Sequence, residues 1–396
     1  MRAAFVVAVA GQVFIFGIYC LPLEHKKEIT MVISAAKKTC FCLIILLWSF
    51  TTQAQTNATL LFDGQTRNYI VYTPTGFSAQ EQLPLVMVLH GFTQTAQNIM
   101  DVSNFNAIAN ANHFVAVYPN GVGNAWNTNS GFPGGSTAND IGFLTQLVHE
   151  MRNLYNIDTT RVYSCGFSAG GYMSHRLACE SNICLAAIAS VSGTMSDAAY
   201  NNCTPWKHIP VLQIHGTSDL VVFYNGGLGS KSVNDVINFW ANNNGCPNTA
   251  TVTNLPDVNT SDGSTVQRFT YQPCTDQTRV ELLKVNSGGH QWPGTGAALG
   301  GLGNINQDIS ASQEIWNFFS NFRCVNCNAW QPQISGNVTV CASGTYLYQA
   351  AIPTPNSAYT WSVTGGVIIS GQGTPQIEVQ WNNGVAGLVN LVQTGY

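Results

Sequence analysis

The sequence predicts an α/β fold, a mostly parallel sheet with helices on both faces, followed by a small all-β sandwich of immunoglobulin type. Three observations carry this. From Ala58 to about Phe322, short β-rich runs alternate with helical windows, the pattern of parallel strands joined by crossover helices. One of those runs ends in a glycine-flanked serine that leads directly into a helical window. Beyond Phe322 the helical windows stop, and period-two alternation with turn residues takes over.

The elements follow in order. Strands are expected at Arg67 to Tyr72, Leu85 to Leu89, Phe114 to Tyr118, Arg161 to Cys165, Ala186 to Val191, Val211 to Ile214 and Val280 to Val285. Between them, Ile141, Leu144, Leu147, Val148 and Met151 recur at helical spacing and give the segment from Ile141 to Leu154 one apolar face for packing on a sheet. In the tail, Thr360-Trp361-Ser362-Val363 and Ile377-Glu378-Val379-Gln380-Trp381 alternate as half-buried sandwich strands do. The expected division is an α/β domain at 57–323, a polar linker at 324–332 and a β-module at 333–396. The module stops on a strand at Tyr396 and is read as incomplete.

The N-terminus carries two apolar stretches. Lys37-Lys38, the run from Cys40 to Phe50 and the small-residue exit Thr52-Gln53-Ala54 are the parts of an export signal, so residues 31–54 are read as a signal peptide cleaved near Ala54. Residues 1–30 are read as an over-called start or leader, because Met31 can itself begin a complete signal; a membrane anchor is the alternative, since Ala3 to Leu23 is long enough to span a bilayer. An exported, extracellular protein without stable membrane association after cleavage is the expectation. Only 9% of residues are charged and the net charge is -4, with no Lys/Arg cluster beyond short pairs, which excludes a nucleic-acid partner on electrostatic grounds.

Of the twelve cysteines, those at positions 20, 40 and 42 leave with the leader, and the nine that remain suit an oxidising destination. The preferred bridges are Cys179 to Cys203 and Cys246 to Cys274. Cys165 lies inside an apolar strand and is read as a buried thiol. Cys324 and Cys327 form a lone C-x-x-C with no second Cys/His pair nearby, so a linker bridge is preferred over a metal site.

Gly166-Phe167-Ser168-Ala169-Gly170-Gly171 carries the chemistry. A serine on a tight strand-to-helix turn needs small neighbours, because its backbone is strained and the flanking chain comes close. The helix behind it favours developing negative charge at its N-terminus. A serine hydroxyl needs a base to become a nucleophile, and in this setting the base follows an acid downstream. His290, in the glycine-rich segment Ser287 to Gly294 after a strand, is the candidate base. Asp219, just past the carboxyl end of the strand Val211 to Ile214, is the candidate acid that orients it; Asp197 and Asp235 compete. The oxyanion donors are expected to be the backbone N–H groups of Ala169 and Phe92, the latter following His90-Gly91. His90 is read as a structural hydrogen-bonder. No metal or organic cofactor is implied.

Residues 67 to 322 resemble the secreted esterases grouped as polyhydroxybutyrate depolymerases and carbohydrate-esterase feruloyl esterases, which have the α/β-hydrolase fold. The resemblance rests on Val88-Leu89-His90-Gly91, Tyr118-Pro119-Asn120-Gly121, Asn139-Asp140-Ile141-Gly142-Phe143, Arg161-Val162-Tyr163, the Ser168 motif, His215-Gly216-Thr217-Ser218-Asp219 and Gly289-His290-Gln291-Trp292-Pro293-Gly294. It implies the same triad and adds Trp292 as a wall of the substrate cleft. Trp126 is a further aromatic candidate for substrate contact. One departure is Phe92, where depolymerase members often carry cysteine; this bears on the polymer and not on the ester. The tail is similar to PKD-like modules. The implied substrate is an ester, polyester or its oligomers in the first reading, feruloylated or acetylated polysaccharide in the second. An inactive hydrolase fold kept as an adhesion module is the third.

Overall fold

The computed structural model describes residues 4–9, 12–17, 54–130, 135–296, 301–324, 334–337, 340–341, 343–350, 358–382 and 387–394. The chain divides into two units, residues 1–53 and 54–396. In the first, β1 (Ala4–Val9) and β2 (Gln12–Gly17) pair antiparallel. The expected signal run from Cys40 to Phe50 and the bulk of the expected linker lie outside the described residues. Among the described residues, no helix is long and apolar enough to cross a membrane.

The second unit is built on a ten-stranded sheet. Its strands are β3 (Gln55–Phe62), β4 (Gln65–Tyr72), β5 (Leu83–Leu89), β6 (Val115–Pro119), β7 (Ile157–Phe167), β8 (Leu185–Val191), β9 (Val211–Gly216), β10 (Thr251–Asn254), β11 (Thr265–Tyr271) and β12 (Val280–Asn286). They lie in the order β10-β11-β12-β9-β8-β7-β5-β6-β4-β3. The six from β12 to β6 run parallel, and antiparallel pairs close both edges. β5, β8 and β9 are buried along their whole length, as strands covered on both faces must be, and their sequences are correspondingly near-continuous apolar runs.

The helices are α1 (Ala96–Ser103), α2 (Phe105–Asn112), α3 (Asp140–Tyr155), α4 (Ala169–Glu180), α5 (Asp197–Asn201), α6 (Val233–Asn243) and α7 (Ala311–Phe319). Alternation along β5 sorts them into layers. Val86 and Val88 join the core formed by Ile99, Phe105, Ile315 and Phe319 of α1, α2 and α7. Leu85, Met87 and Leu89 join the opposite core, formed with Leu144 and Leu147 of α3, Met173 and Leu177 of α4, and Ile237 and Trp240 of α6. One strand therefore anchors both layers, because successive side chains point to opposite faces.

Chain order fixes where a site can form. After β6 the chain crosses β5 to lay down β7 on its other side, so the direction of winding reverses between β5 and β7. Such a switch point leaves a crevice at the carboxyl ends of the strands, where α/β proteins bind their ligands. The segments there are His90-Gly91 after β5 and Ser168 after β7.

The C-terminal strands β13 (Ile334–Gly336), β14 (Thr345–Ala350), β17 (Gln376–Trp381) and β16 (Gly366–Ser370) form an antiparallel sheet in that order, and β15 (Ala358–Thr364) pairs with β18 (Leu388–Thr394). Tyr348, Trp361, Ile377, Val379 and Trp381 make a core of their own. The alternation in 360–363 and 377–381 is the direct cause, since it puts one apolar face on each strand.

Among the described residues, three bridges join Cys179 to Cys203, Cys246 to Cys274 and Cys184 to Cys324. The third corrects the expected Cys324–Cys327 linker bridge. The backbone N–H of Cys324 donates to the Thr160 carbonyl at the base of β7, at 2.7 Å, which carries the thiol to Cys184 beside β8 and away from its sequence neighbour. Cys165 is a free, buried thiol.

Candidate active site

The serine turn is compressed as its sequence requires. Ser168 has φ 53° and ψ -118°, a left-handed conformation costly for a residue with a Cβ. It is held by main-chain bonds on both sides: its N–H donates to the Val191 carbonyl at 2.8 Å, and its carbonyl accepts from the N–H groups of Gly171 and Tyr172 at 2.8 and 3.1 Å. Glycine at 170 is obligatory, since a Cβ there would sit 2.1 Å from the Leu89 carbonyl oxygen. β5 and the first turn of α4 can approach only across that bare backbone. Ser168 and Ala169 are half-buried at the helix N-terminus.

His290 is brought to the same edge by the segment after β12. This segment is pinned: the Gly289 N–H donates to the Asn304 carbonyl at 2.9 Å, and the His290 N–H to the Leu302 carbonyl at 2.7 Å. The His290 ring lies 4.8 Å, centroid to centroid, from the ring of Phe167, the residue before Ser168. Its Nδ1 donates to Asp219 Oδ2 at 2.8 Å, and both side chains are buried. The other carboxylate oxygen, Oδ1, accepts the backbone N–H groups of Val221 and Val222 at 2.9 and 2.8 Å. Burial alone would raise the Asp219 carboxyl, but hydrogen bonds and charge attraction from His215 and His290 outweigh it and hold the group well below the usual carboxylate range. The competitors lie elsewhere. Asp197 pairs with Lys231 at 3.0 Å, and Asp235 caps α6 through Ser232.

On the opposite wall, His90 ties two loops together. Its Nδ1 donates to the Gly91 carbonyl at 2.7 Å, and its Nε2 accepts the Gly121 N–H at 2.9 Å. Phe92, on the turn that follows, is 38% exposed. Trp126 and Trp292 require correction as substrate contacts, because each is only 1% exposed. The Trp126 indole donates to the His90 carbonyl at 2.9 Å, and the Trp292 indole to Ser312 Oγ at 3.1 Å. A buried indole N–H must find a partner, and these two found theirs inside the protein.

Burial pushes the His90 and His175 imidazoles down from 6.5 to about 4. Both are therefore neutral in the folded chain at pH values where an unfolded chain would protonate them. Their contribution to stability is complete above pH 6.5 and is lost as the pH falls toward 4, because only the unfolded state gains the protons. The melting midpoint should accordingly drop across that window, with a shallower drop in the His175→Gln variant. A midpoint flat between pH 6.5 and about 4.5 would contradict this account.

Residues 67–234 match the family described as Esterase PHB depolymerase, and residues 328–394 match a PKD-like domain. Residues 67–234 are thus similar to the esterases of the PHB depolymerase family. Feruloyl esterase B of Piromyces equi is 29% identical to it over 239 residues, covering 57% of this chain and 42% of the relative. Poly(3-hydroxyalkanoate) depolymerase C of Paucimonas lemoignei is 28% identical over 288 residues, covering 63% of this chain and 65% of the relative. The chain spans less than half the length of the first of these. Among solved structures, a CE1 ferulic acid esterase from Anaeromyces mucronatus is 15% identical, with a TM-score of 0.43 over 69% of this chain and 93% of that one. The ten-stranded sheet with its helices has the α/β-hydrolase fold, and the segment that follows is similar to a PKD-like domain.

Two partners of the site are absent from the sequence reading. His215 Nε2 lies 3.4 Å from Asp219 Oδ2, and Gln213 contacts the other nitrogen of that ring. The signal was present: Gln213 and His215 are the polar pair, two residues apart, in the otherwise apolar run from Val211.

Proposed function

We propose that the chain is an exported serine carboxylic-ester hydrolase acting through an acyl-enzyme. The observation that carries this is the 2.8 Å pairing of His290 Nδ1 with a charged, twice amide-bonded Asp219 at the strand edge that also holds the strained Ser168. His290 Nε2 takes the Ser168 proton as Oγ attacks the ester carbonyl. The N–H groups of Ala169 and Phe92 receive the oxyanion, aided by the N-terminus of α4. His290 then returns the proton to the departing alcohol, and water repeats the cycle on the acyl-enzyme. Asp219 keeps the proton of His290 on Nδ1, so that Nε2 presents a lone pair. Three bridged cysteine pairs support export.

The first substrate reading is polyester or its oligomers. Leu220, Val221 and Phe223, which wrap the acid, are 82%, 48% and 38% exposed, and with Phe92 they put apolar surface at the crevice rim. The second reading is a feruloylated or acetylated polysaccharide, favoured by the names of the relatives. We take residues 57–323 as the catalytic domain, 324–332 as a linker and 333–396 as an accessory module. Hydrolysis of hydroxybutyrate oligomers, methyl ferulate and acetylated xylan should be measured side by side. The oligomers are expected to be cleaved with the highest kcat/KM. A preference for methyl ferulate or xylan would transfer the assignment to the second reading, and hydrolysis of none of them would leave a non-catalytic module.

A further inference from the structure

β9 carries its polar pair on one side. Leu212 and Ile214 belong to the core beneath α1, α2 and α7, so Gln213 and His215 face the layer of α4 and α6. There they meet His175 of α4 and Trp240 of α6, and all four side chains are buried, with at most 1% exposure. Their contacts form one line. Trp240 Nε1 lies 3.1 Å from His175 Nδ1, His175 Nε2 3.3 Å from Gln213 Oε1, and Gln213 Nε2 3.2 Å from His215 Nδ1. His215 Nε2 ends the line, 2.8 Å from the Val222 carbonyl and 3.4 Å from Asp219 Oδ2.

The direction of this line is forced at three independent points. An indole N–H can only donate, so His175 Nδ1 must accept and its proton must sit on Nε2. The Gln213 amide nitrogen also donates to the Gly193 carbonyl at 2.6 Å, which fixes its oxygen toward His175 and its N–H₂ toward His215. The Val222 carbonyl can only accept, so His215 Nε2 must carry the proton.

We propose that Trp240, His175, Gln213 and His215 form a one-way hydrogen-bond chain that locks the His215 proton on Nε2, making His215 the positioning residue that holds Asp219 and its loop against His290. This rests on the reading of Asp219 and His290 as acid and base. With the opposite tautomer, a lone pair would face both Asp219 Oδ2 and the Val222 carbonyl. The segment whose amide groups hold Oδ1 would then be pushed from the base.

The test has two arms. In the resting protein with 15N-labelled histidine rings, His215 should show a protonated pyrrole-type Nε2 and a pyridine-type Nδ1, its signals assigned by their loss in His215→Gln. Nδ1 carrying the proton would overturn the proposal, and this arm needs no substrate and no variant with intact function. In the kinetic arm, His215→Phe, which keeps a ring but no donor, should lower kcat about tenfold with KM within about twofold, the scale of one lost hydrogen bond to a charged group. His215→Gln, which keeps an N–H, should recover most of that loss. Equal losses in the two variants would overturn the positioning role. A Ser168→Ala protein that still hydrolyses esters would instead overturn the functional reading, leaving the tautomer result to stand separately.

Discussion

Ser168→Ala is expected to lower ester hydrolysis by about four to six orders of magnitude while leaving the melting midpoint nearly unchanged, the usual scale for removing a nucleophile from a triad. The two halves of this result have separate causes. The contacts that hold the turn are main-chain bonds to Val191, Gly171 and Tyr172, which alanine makes as well as serine does. Alanine also keeps the Cβ at φ 53°, so it neither relieves nor adds backbone strain. Only the attacking oxygen is lost. Gly170→Ala is the informative contrast, because its Cβ would meet the Leu89 carbonyl oxygen at 2.1 Å and force β5 and α4 apart. That variant should lose activity together with its folding transition. A Ser168→Ala protein within tenfold of the parent rate on a p-nitrophenyl ester would remove Ser168 from the mechanism.

The serine turn was legible because a strand, a bare glycine pair and a helix must follow one another there, and each leaves a local mark. The pairing of Asp219 with His290 was legible through chain order and the place of Asp219 past β9. Partners set by tertiary contacts were not. Cys324 joins Cys184 across 140 residues, while the nearest candidate in sequence was Cys327. Trp126 and Trp292 read as substrate contacts because nothing local reveals that the His90 carbonyl and Ser312 wait inside to accept their indole N–H groups. The edge strands β3 and β10 escaped the reading for a related reason. β10 is exposed at every residue and β3 at half of them, so neither shows the apolar periodicity that marked the central strands. His215 lay in view within the Asp219 motif, yet only the packing of α4 and α6 onto β9 gives it a role.

Asp219→Asn should cost about 10⁴-fold in kcat, the scale expected when an imidazole is held in the wrong tautomer. The amide would have no choice of orientation. Asp219 Oδ1 accepts two backbone N–H groups, from Val221 and Val222, so the asparagine oxygen must take that place and its N–H₂ must occupy the position of Oδ2. A donor would then face His290 Nδ1, now 2.8 Å from Oδ2, and drive the imidazole proton to Nε2, where a lone pair is needed to accept from Ser168. The same N–H₂ would face the Nε2–H of His215 across 3.4 Å, two donors without an acceptor between them. That conflict should lower stability by about 1–3 kcal/mol, a cost Ser168→Ala does not carry. The pair of variants therefore separates the roles: loss of rate alone for the nucleophile, loss of rate with a lowered melting midpoint for the acid. If Asp219→Asn kept its rate within tenfold, the carboxylate would be structural, and the base would have to be oriented by another group.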